Sequence, residues 1–172
     1  LGATVILLIK GAINRSLGID DAGIYQAAWG LSGLFANFML SALGTDFFPR
    51  LAGVSSNQMA MNRLVNEQTE IGVLIALPGI VATIAFAPIL LSSFYSRDFV
   101  PGAHLLVLFA AGVFIQIVGW PIGMIQQAKG ATGWLIVSQT SGHFATLALS
   151  IVFLLQMGLT GIGVGFLLSR IY

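Results

Sequence analysis

The sequence predicts an all-α protein embedded in a membrane: a bundle of six helices, four complete and two truncated. Three observations carry that prediction. Only 8% of the residues are charged, where a soluble domain has about 25%. The mean hydropathy is +0.95. Apolar runs close to the roughly 20 residues needed to cross about 30 Å of hydrocarbon alternate with short polar turns. A lipid bilayer is therefore the first expected partner. The formal net charge of +1 gives no support to a nucleic-acid partner. Cysteine is absent, which excludes thiolate chemistry and cysteine metal sites. The chain opens Leu1-Gly2-Ala3-Thr4 without Met and closes inside an apolar run. A fragment of a longer protein is expected, with residues 1–172 forming one transmembrane bundle.

The first helix ends near residue 17. Residues 1–9 are too few to span, so it is expected to begin before Leu1. Gly18-Ile19-Asp20-Asp21-Ala22-Gly23 reads as a tight polar turn, and the second helix covers about 24–45. The long polar interval 46–70 follows, holding three of the six acidic residues (Asp46, Glu67 and Glu70). In it Phe47 and Phe48 read as interface aromatics, Pro49 as the end of a helix, and Arg50 as a headgroup-level cation within reach of Asp46. Ser55, three residues before Gln58, resembles a capping box. Residues 57–70 read as an interfacial helix with Met61, Leu64 and Val65 inward, and Asn62, Arg63, Asn66 and Glu67 outward.

This helix feeds a third span over about 71–94, containing Pro78 and Pro88. Residues 95–102 form a turn with aromatic flanks. The fourth span covers about 103–125, and residues 126–133 make a turn carrying Lys129. The fifth covers about 134–155, and residues 156–161 turn into a truncated sixth over 162–172. Arg50, Arg63 and Lys129 lie on one side, Arg97 and the ambiguous Arg15 on the other. The positive-inside rule then places 46–70 and 126–133 in the cytoplasm.

Ionisable and amide groups within spans are the candidates for function, because a charge in hydrocarbon costs about 3 kcal/mol or more and normally faces protein or water. Lys10 and Asn14 share one face of the first helix, with Arg15 beside them. They read as an electropositive wall for an anionic group, although Arg15, near the turn, reads equally well as snorkelling to an interface. Arg170, close to the end of the chain, is ambiguous. Gln139, His143, Thr146 and Ser150 form a polar stripe on the fifth helix. Ser and Thr can satisfy themselves on the backbone, so Gln139 and His143 require an explanation: His143 is either a proton-relay group or a hydrogen-bonding partner between helices.

Gln26, Gly30, Gly33, Asn37, Ser41 and Gly44 share one face of the second helix. That face reads as close packing with Asn37 bridging helices, or as a cavity lining. Gln116, four before Trp120, is of the same kind. Gly119 with Gly123, and Gly161 with Gly165, are packing patterns of low specificity. Pro78, Pro88 and Pro121 read as hinges. No metal-ligand spacing, phosphate-cradling glycine loop or nucleophile elbow is present. Neither an enzyme nor any cofactor is expected.

Several short stretches, in order, resemble a known family. They are Gly23-Ile24-Tyr25-Gln26-Ala27-Ala28, Asp46-Phe47-Phe48-Pro49-Arg50-Leu51-Ala52, Asn66-Glu67-Gln68-Thr69-Glu70 and Leu77-Pro78-Gly79, then Ala87-Pro88, Tyr95-Ser96 with Phe99, Trp120-Pro121 and Ala128-Lys129-Gly130. The series resembles bacterial polysaccharide flippases, the O-antigen and enterobacterial-type translocases of the multidrug/oligosaccharidyl-lipid/polysaccharide exporter superfamily. The resemblance runs along nearly the whole chain and is to the second six-helix bundle of a transporter of about twelve helices. It implies two lobes around a central cavity in the inner membrane, and alternating access to a polyprenyl-pyrophosphate-linked oligosaccharide as substrate and partner. The missing N-terminal half of the same chain would be the second partner.

It also implies that the first, second, fourth and fifth helices face the cavity, presenting Lys10, Asn14, Arg15, Asn37, Gln116, Gln139 and His143. Asp46, Pro49, Arg50, Pro78 and Pro121 are the structural or gating candidates. Two other activities remain open: a cation-coupled multidrug exporter of the same superfamily, which predicts an acidic and aromatic cavity, and a membrane-embedded glycan-processing enzyme. A helix-packing scaffold without transport is a fourth reading, opposed by the polar stripes on several helices.

Overall fold

The computed structural model describes residues 2–171, apart from the side chain of Thr132. Among the described residues the chain is all-helical, with seven α-helices: α1 (Gly2–Ser16), α2 (Ile19–Gly53), α3 (Gln58–Ala85), α4 (Ala87–Phe94), α5 (Ala103–Ala128), α6 (Thr132–Met157) and α7 (Leu159–Ser169), with a 3₁₀ turn at Arg97–Gly102 between α4 and α5. Four segments are long and apolar enough to cross a membrane: Ile19–Gly53, Gln58–Ala85, Arg97–Ala128 and Gly133–Met157.

The chain reverses more tightly than its polar stretches suggest. The turn expected over 18–23 reduces to residues 17 and 18, because Gly18, at φ 105°, supplies the left-handed step alone. Asp20 and Asp21 then fall in the first turn of α2, where carboxylates complement the exposed N–H groups. The turns expected over 126–133 and 156–161 likewise contract around Gly130 (φ 66°) and Gly158 (φ 62°).

The break expected at Pro49 is not there: α2 runs through it to Gly53. A proline inside a helix forfeits a hydrogen bond and crowds the carbonyl four residues back, and packing holds this stretch in place. Phe47 and Leu51 are fully buried in a cluster with Met61 and Val65, and the Phe47 ring lies 5.6 Å from that of Trp120. Phe47 is thus a core residue, while Phe48 is exposed. Asp46 and Arg50 are exposed and unpaired; the one ion pair among the described residues is Arg63 with Glu67, at 2.8 Å. Asn57, rather than Ser55, caps α3, its side chain accepting from the Ala60 N–H at 3.1 Å.

Beyond that cap, α3 continues without interruption from the amphipathic segment into the span, with Met61 and Val65 buried and Arg63 exposed. Pro78 sits inside α3 without ending it. Pro88 does act, since the third span divides at Phe86 and Pro88 occupies the first turn of α4, where its missing N–H costs nothing.

The most apolar span is the central one. Its mean hydropathy is 2.2, and α5 packs against α2, α3 and α7. Trp29 of α2, Phe109 of α5 and Phe166 of α7 meet edge to face, with centroids 5.2–5.3 Å apart in all three pairs. Each such contact is worth about 0.5–1.5 kcal/mol beyond its area. In a bilayer this matters more than apolar burial, because lipid tails offer an equally apolar surface. Leu74, Ile84, Ile89, Ile136 and Phe144 are accordingly exposed on the outside.

The α6–α7 hairpin is the tightest seam. A Cβ on Gly161 would overlap the Phe153 carbonyl oxygen, and one on Gly165 would lie 2.6 Å from the Ser150 nitrogen. Thr146 Oγ1 shares its one proton between the Gly142 carbonyl at 2.9 Å and Ser169 Oγ at 3.0 Å, while Ser169 donates to the Phe166 carbonyl at 2.6 Å. Facing α7 in this way, Thr146 and Ser150 bear out the single polar stripe on α6. Ser150 departs from the expectation of self-satisfaction, since its buried Oγ has no hydrogen-bond partner.

The Gln26-to-Gly44 face of α2 packs only in part: a Cβ on Gly30 would lie 3.2 Å from the Tyr95 hydroxyl and one on Gly44 3.3 Å from the Trp120 ring. The buried face is instead formed by Ala22, Tyr25, Ala28, Ser32, Ala36 and Met39. Gln26, Asn37 and Ser41 are exposed, and a Cβ on Gly33 would meet nothing within 4 Å.

Candidate functional site

The candidate residues divide between two clefts. The turn at Gly18 sets α1 beside α2, and the 3₁₀ turn closes their end. Between them lies a groove of about 610 Å³ lined by Lys10, Gly11, Asn14, Gln26, Tyr95 and Phe99, among others. Lys10 and Asn14 enter it together because they stand one helical turn apart on α1. Tyr95 and Phe99 form its aromatic edge, with rings 5.3 Å apart. Arg15 is exposed in the last turn of α1 but does not line the groove. At that position its charge complements the unpaired helix carbonyls.

The second cleft lies among α5, α6 and the end of α7. About 300 Å³ is lined by Gln116, Gly119, Trp120, Gly123, Gln127, Gln139, Ser169 and Arg170, with two apolar neighbours. An adjoining 190 Å³ is lined by Ser138, Gln139, Gly142, His143 and Arg170. The structure thus brings Gln116 of α5 beside Gln139 and His143 of α6, which the sequence places on two different helices. Asn37 joins neither cleft; it is exposed and makes no side-chain hydrogen bond to a neighbouring helix.

Arg170 is the residue whose importance the sequence left ambiguous. It lines both parts of the second cleft and also an enclosed aromatic cavity of about 60 Å³ beside Tyr25, Trp29, Phe109 and Phe166. Its guanidinium lies 4.6 Å from the centroid of Phe166. Its Nε is buried and has no hydrogen-bond partner. Gln127 was missed altogether, although Gln116, Gly119, Gly123 and Gln127 recur at helical spacing and mark one face of α5. That face is open: a Cβ on Gly119 or on Gly123 would meet nothing within 4 Å. This glycine pair lines a cleft, and the helix contact suggested by its spacing does not form there.

Neither cleft contains a carboxylate, and no group of three His, Cys, Asp or Glu among the described residues is arranged to hold a metal. Of the gating candidates, Asp46, Pro49 and Arg50 are exposed on the last turns of α2, and Pro78 is exposed on α3. Pro121 is fully buried inside an unbroken α5. Lys129 Nζ donates to Gln58 Oε1 at 2.8 Å, and Gln58 Nε2 to Asn62 Oδ1 at 3.0 Å. These bonds put the α5–α6 turn and the start of α3 at the same end of the bundle.

A chain with cations and amides along clefts between apolar helices has the chemistry to hold anionic and hydroxyl-rich groups. No curated protein sequence and no solved structure matches it. The model of the polysaccharide biosynthesis protein family matches residues 8–103, from α1 through the 3₁₀ turn and therefore including the Lys10 groove. With more than half of its length matched, the chain belongs to the polysaccharide biosynthesis protein family.

Proposed function

We propose that this protein is a transporter, not an enzyme, and flips a polyprenyl-pyrophosphate-linked oligosaccharide, such as an O-antigen-like repeat unit, across the bacterial inner membrane. The observation that carries the reading is the Lys10 groove, where a cation, two amides and two aromatic rings line about 610 Å³ inside the segment matched by the family. A diphosphate is recognised by a cation, sugar hydroxyls by amides, and a sugar's apolar face by aromatic rings, while the polyprenyl tail remains in lipid. Lys10 is assigned to the diphosphate; Asn14 and Gln26 are assigned to the first sugar.

In this reading the bundle is one lobe of a two-lobed, alternating-access protein, and the end carrying Arg50, Arg63 and Lys129 faces the cytoplasm. Drug export has less support. The aromatic cavity is about 60 Å³, whereas pockets for drug-sized molecules are on the order of 300–1,000 Å³, and the larger clefts lack the carboxylates that cation coupling would use.

Deletion of the full-length gene in its own host is expected to accumulate lipid-linked precursor on the cytoplasmic side and to deplete surface glycan. Complementation with Lys10→Ala should lower export at least tenfold while membrane levels stay normal. Wild-type export by Lys10→Ala would remove Lys10 from the site, and absence of precursor accumulation in the deletion strain would retire the flippase reading.

A further inference from the structure

Among the described residues, no carboxylate faces the cation in the second cleft. Arg170 caps the C-terminus of α7, where a guanidinium could bond the free carbonyls, yet its buried Nε makes no such bond. Stacking on Phe166 offsets part of the desolvation through the ring face. That contact holds the guanidinium beside the ring and leaves Nε without a partner. No Asp or Glu lines any of the three cavities that Arg170 borders. Around it stand the amides of Gln116, Gln127 and Gln139 and the imidazole of His143. Open glycine backbone at Gly119 and Gly123 leaves space in front of them. A partly buried guanidinium that lines a cleft without a carboxylate matches a planar or tetrahedral oxyanion, and amides flanking it match hydroxyls.

We propose that the Arg170 cleft is an anion subsite that takes a carboxylate or phosphate oxygen of the translocated glycolipid, with Gln116, Gln127 and Gln139 bonding neighbouring sugar hydroxyls. This rests on the transport reading and deepens it: the cargo bears an anionic group at a second position, apart from the Lys10 groove. The chemistry is shared by two sources, an acidic sugar of the glycan and a phosphate of the carrier or of a lipid headgroup.

The test uses the purified full-length protein in detergent, with affinities read from ligand-dependent shifts in thermal unfolding. Three probes are compared: a glucuronate-terminated disaccharide, its glucose-terminated counterpart, and inorganic pyrophosphate. At least one charged probe should bind the wild type about tenfold more tightly than the neutral sugar, a preference that Arg170→Gln should abolish. Arg170-dependent preference for the glucuronate probe identifies an acidic sugar as the source, and preference for pyrophosphate identifies a phosphate. Equal binding of charged and neutral probes, or undiminished binding of the charged probe by Arg170→Gln, overturns the proposal. Should Arg170→Gln fail to fold, Gln139→Ala decides, since Gln139 is exposed: a loss of several-fold in affinity supports the subsite, and none overturns it. The two readings separate cleanly. Arg170-dependent probe binding by a protein whose deletion leaves precursor levels unchanged would retire the flippase and keep the anion site. Export without probe discrimination would do the reverse.

Discussion

Gly161 and Gly165 on α7 and Gly119 and Gly123 on α5 have the same spacing of four, yet one pair is pressed against backbone and the other faces empty cleft. The difference lies in what stands opposite. After the one-residue reversal at Gly158, α7 must run back along α6, and only a glycine surface lets the two backbones meet. On α5 the buried side carries Leu105, Phe109, Val113 and Ile117, so its glycine side is left to Gln116, Gln127 and the cleft. The same pattern therefore builds a seam in one place and a wall in the other, and each role makes a different forecast for adding a side chain.

The largest effect is expected from Gly161→Leu. Its Cβ would overlap the Phe153 carbonyl oxygen, and backbone cannot yield as a flexible side chain can. Separating α6 from α7 would undo the Thr146–Ser169 bond. Detergent extraction followed by size exclusion should recover little monodisperse protein. Normal recovery would mean that the hairpin is not the seam described. Gly165→Ala adds one carbon 2.6 Å from the Ser150 nitrogen and should cost about 1–3 kcal/mol, the range for overpacking, seen as a fall in thermal midpoint.

Much of this organisation was legible before the fold was known, because composition and apolar run length report directly on the bilayer. The α3, α5 and α6 segments follow from their runs alone. The errors cluster where polar residues were read as turns. Asp20, Asp21, Asp46 and Pro49 are all helical: the first turn of α2 favours the two leading acids, and burial of Phe47 and Leu51 carries the helix past Pro49. The site was legible in its ingredients but not in its grouping. Lys10 with Asn14 is a local spacing and could be read from α1. Gln116, Gln139 and Arg170 meet only through the packing of α5, α6 and α7, and no spacing within a single helix reports that. Asn37 and Arg15 had the right chemistry and the wrong surroundings.

A smaller effect sharpens the seam. Thr146→Val keeps shape and removes the hydroxyl that reaches Ser169 at 3.0 Å. Hydrogen bonds between membrane helices average about 0.6 kcal/mol, so the midpoint should fall by only a degree or two. Ser150 supplies the counterpart on the same face: its Oγ is buried without a partner, and Ser150→Ala should cost nothing or stabilise slightly, because an orphaned hydroxyl already carries its desolvation penalty. A larger loss for Ser150→Ala than for Thr146→Val would mean that ordered water in the neighbouring 60 Å³ cavity satisfies the hydroxyl.

The smallest loss of stability, none at all, is forecast for Gly119→Ala, the direct counterpart of Gly165→Ala. Its Cβ meets nothing within 4 Å, and exchanging glycine for alanine within a helix lowers the backbone entropy lost on folding, worth about 0.5–1 kcal/mol. The thermal midpoint should stay level or rise. The same methyl group projects into the cleft shared by Gln116 and Arg170, so whatever occupies that space should bind less well although the fold is unharmed. Stability held with charged-probe affinity reduced would separate wall from seam in one residue. A fall in midpoint matching that of Gly165→Ala would instead show that α5 presses its glycine face against a partner surface, and that the open wall seen here closes.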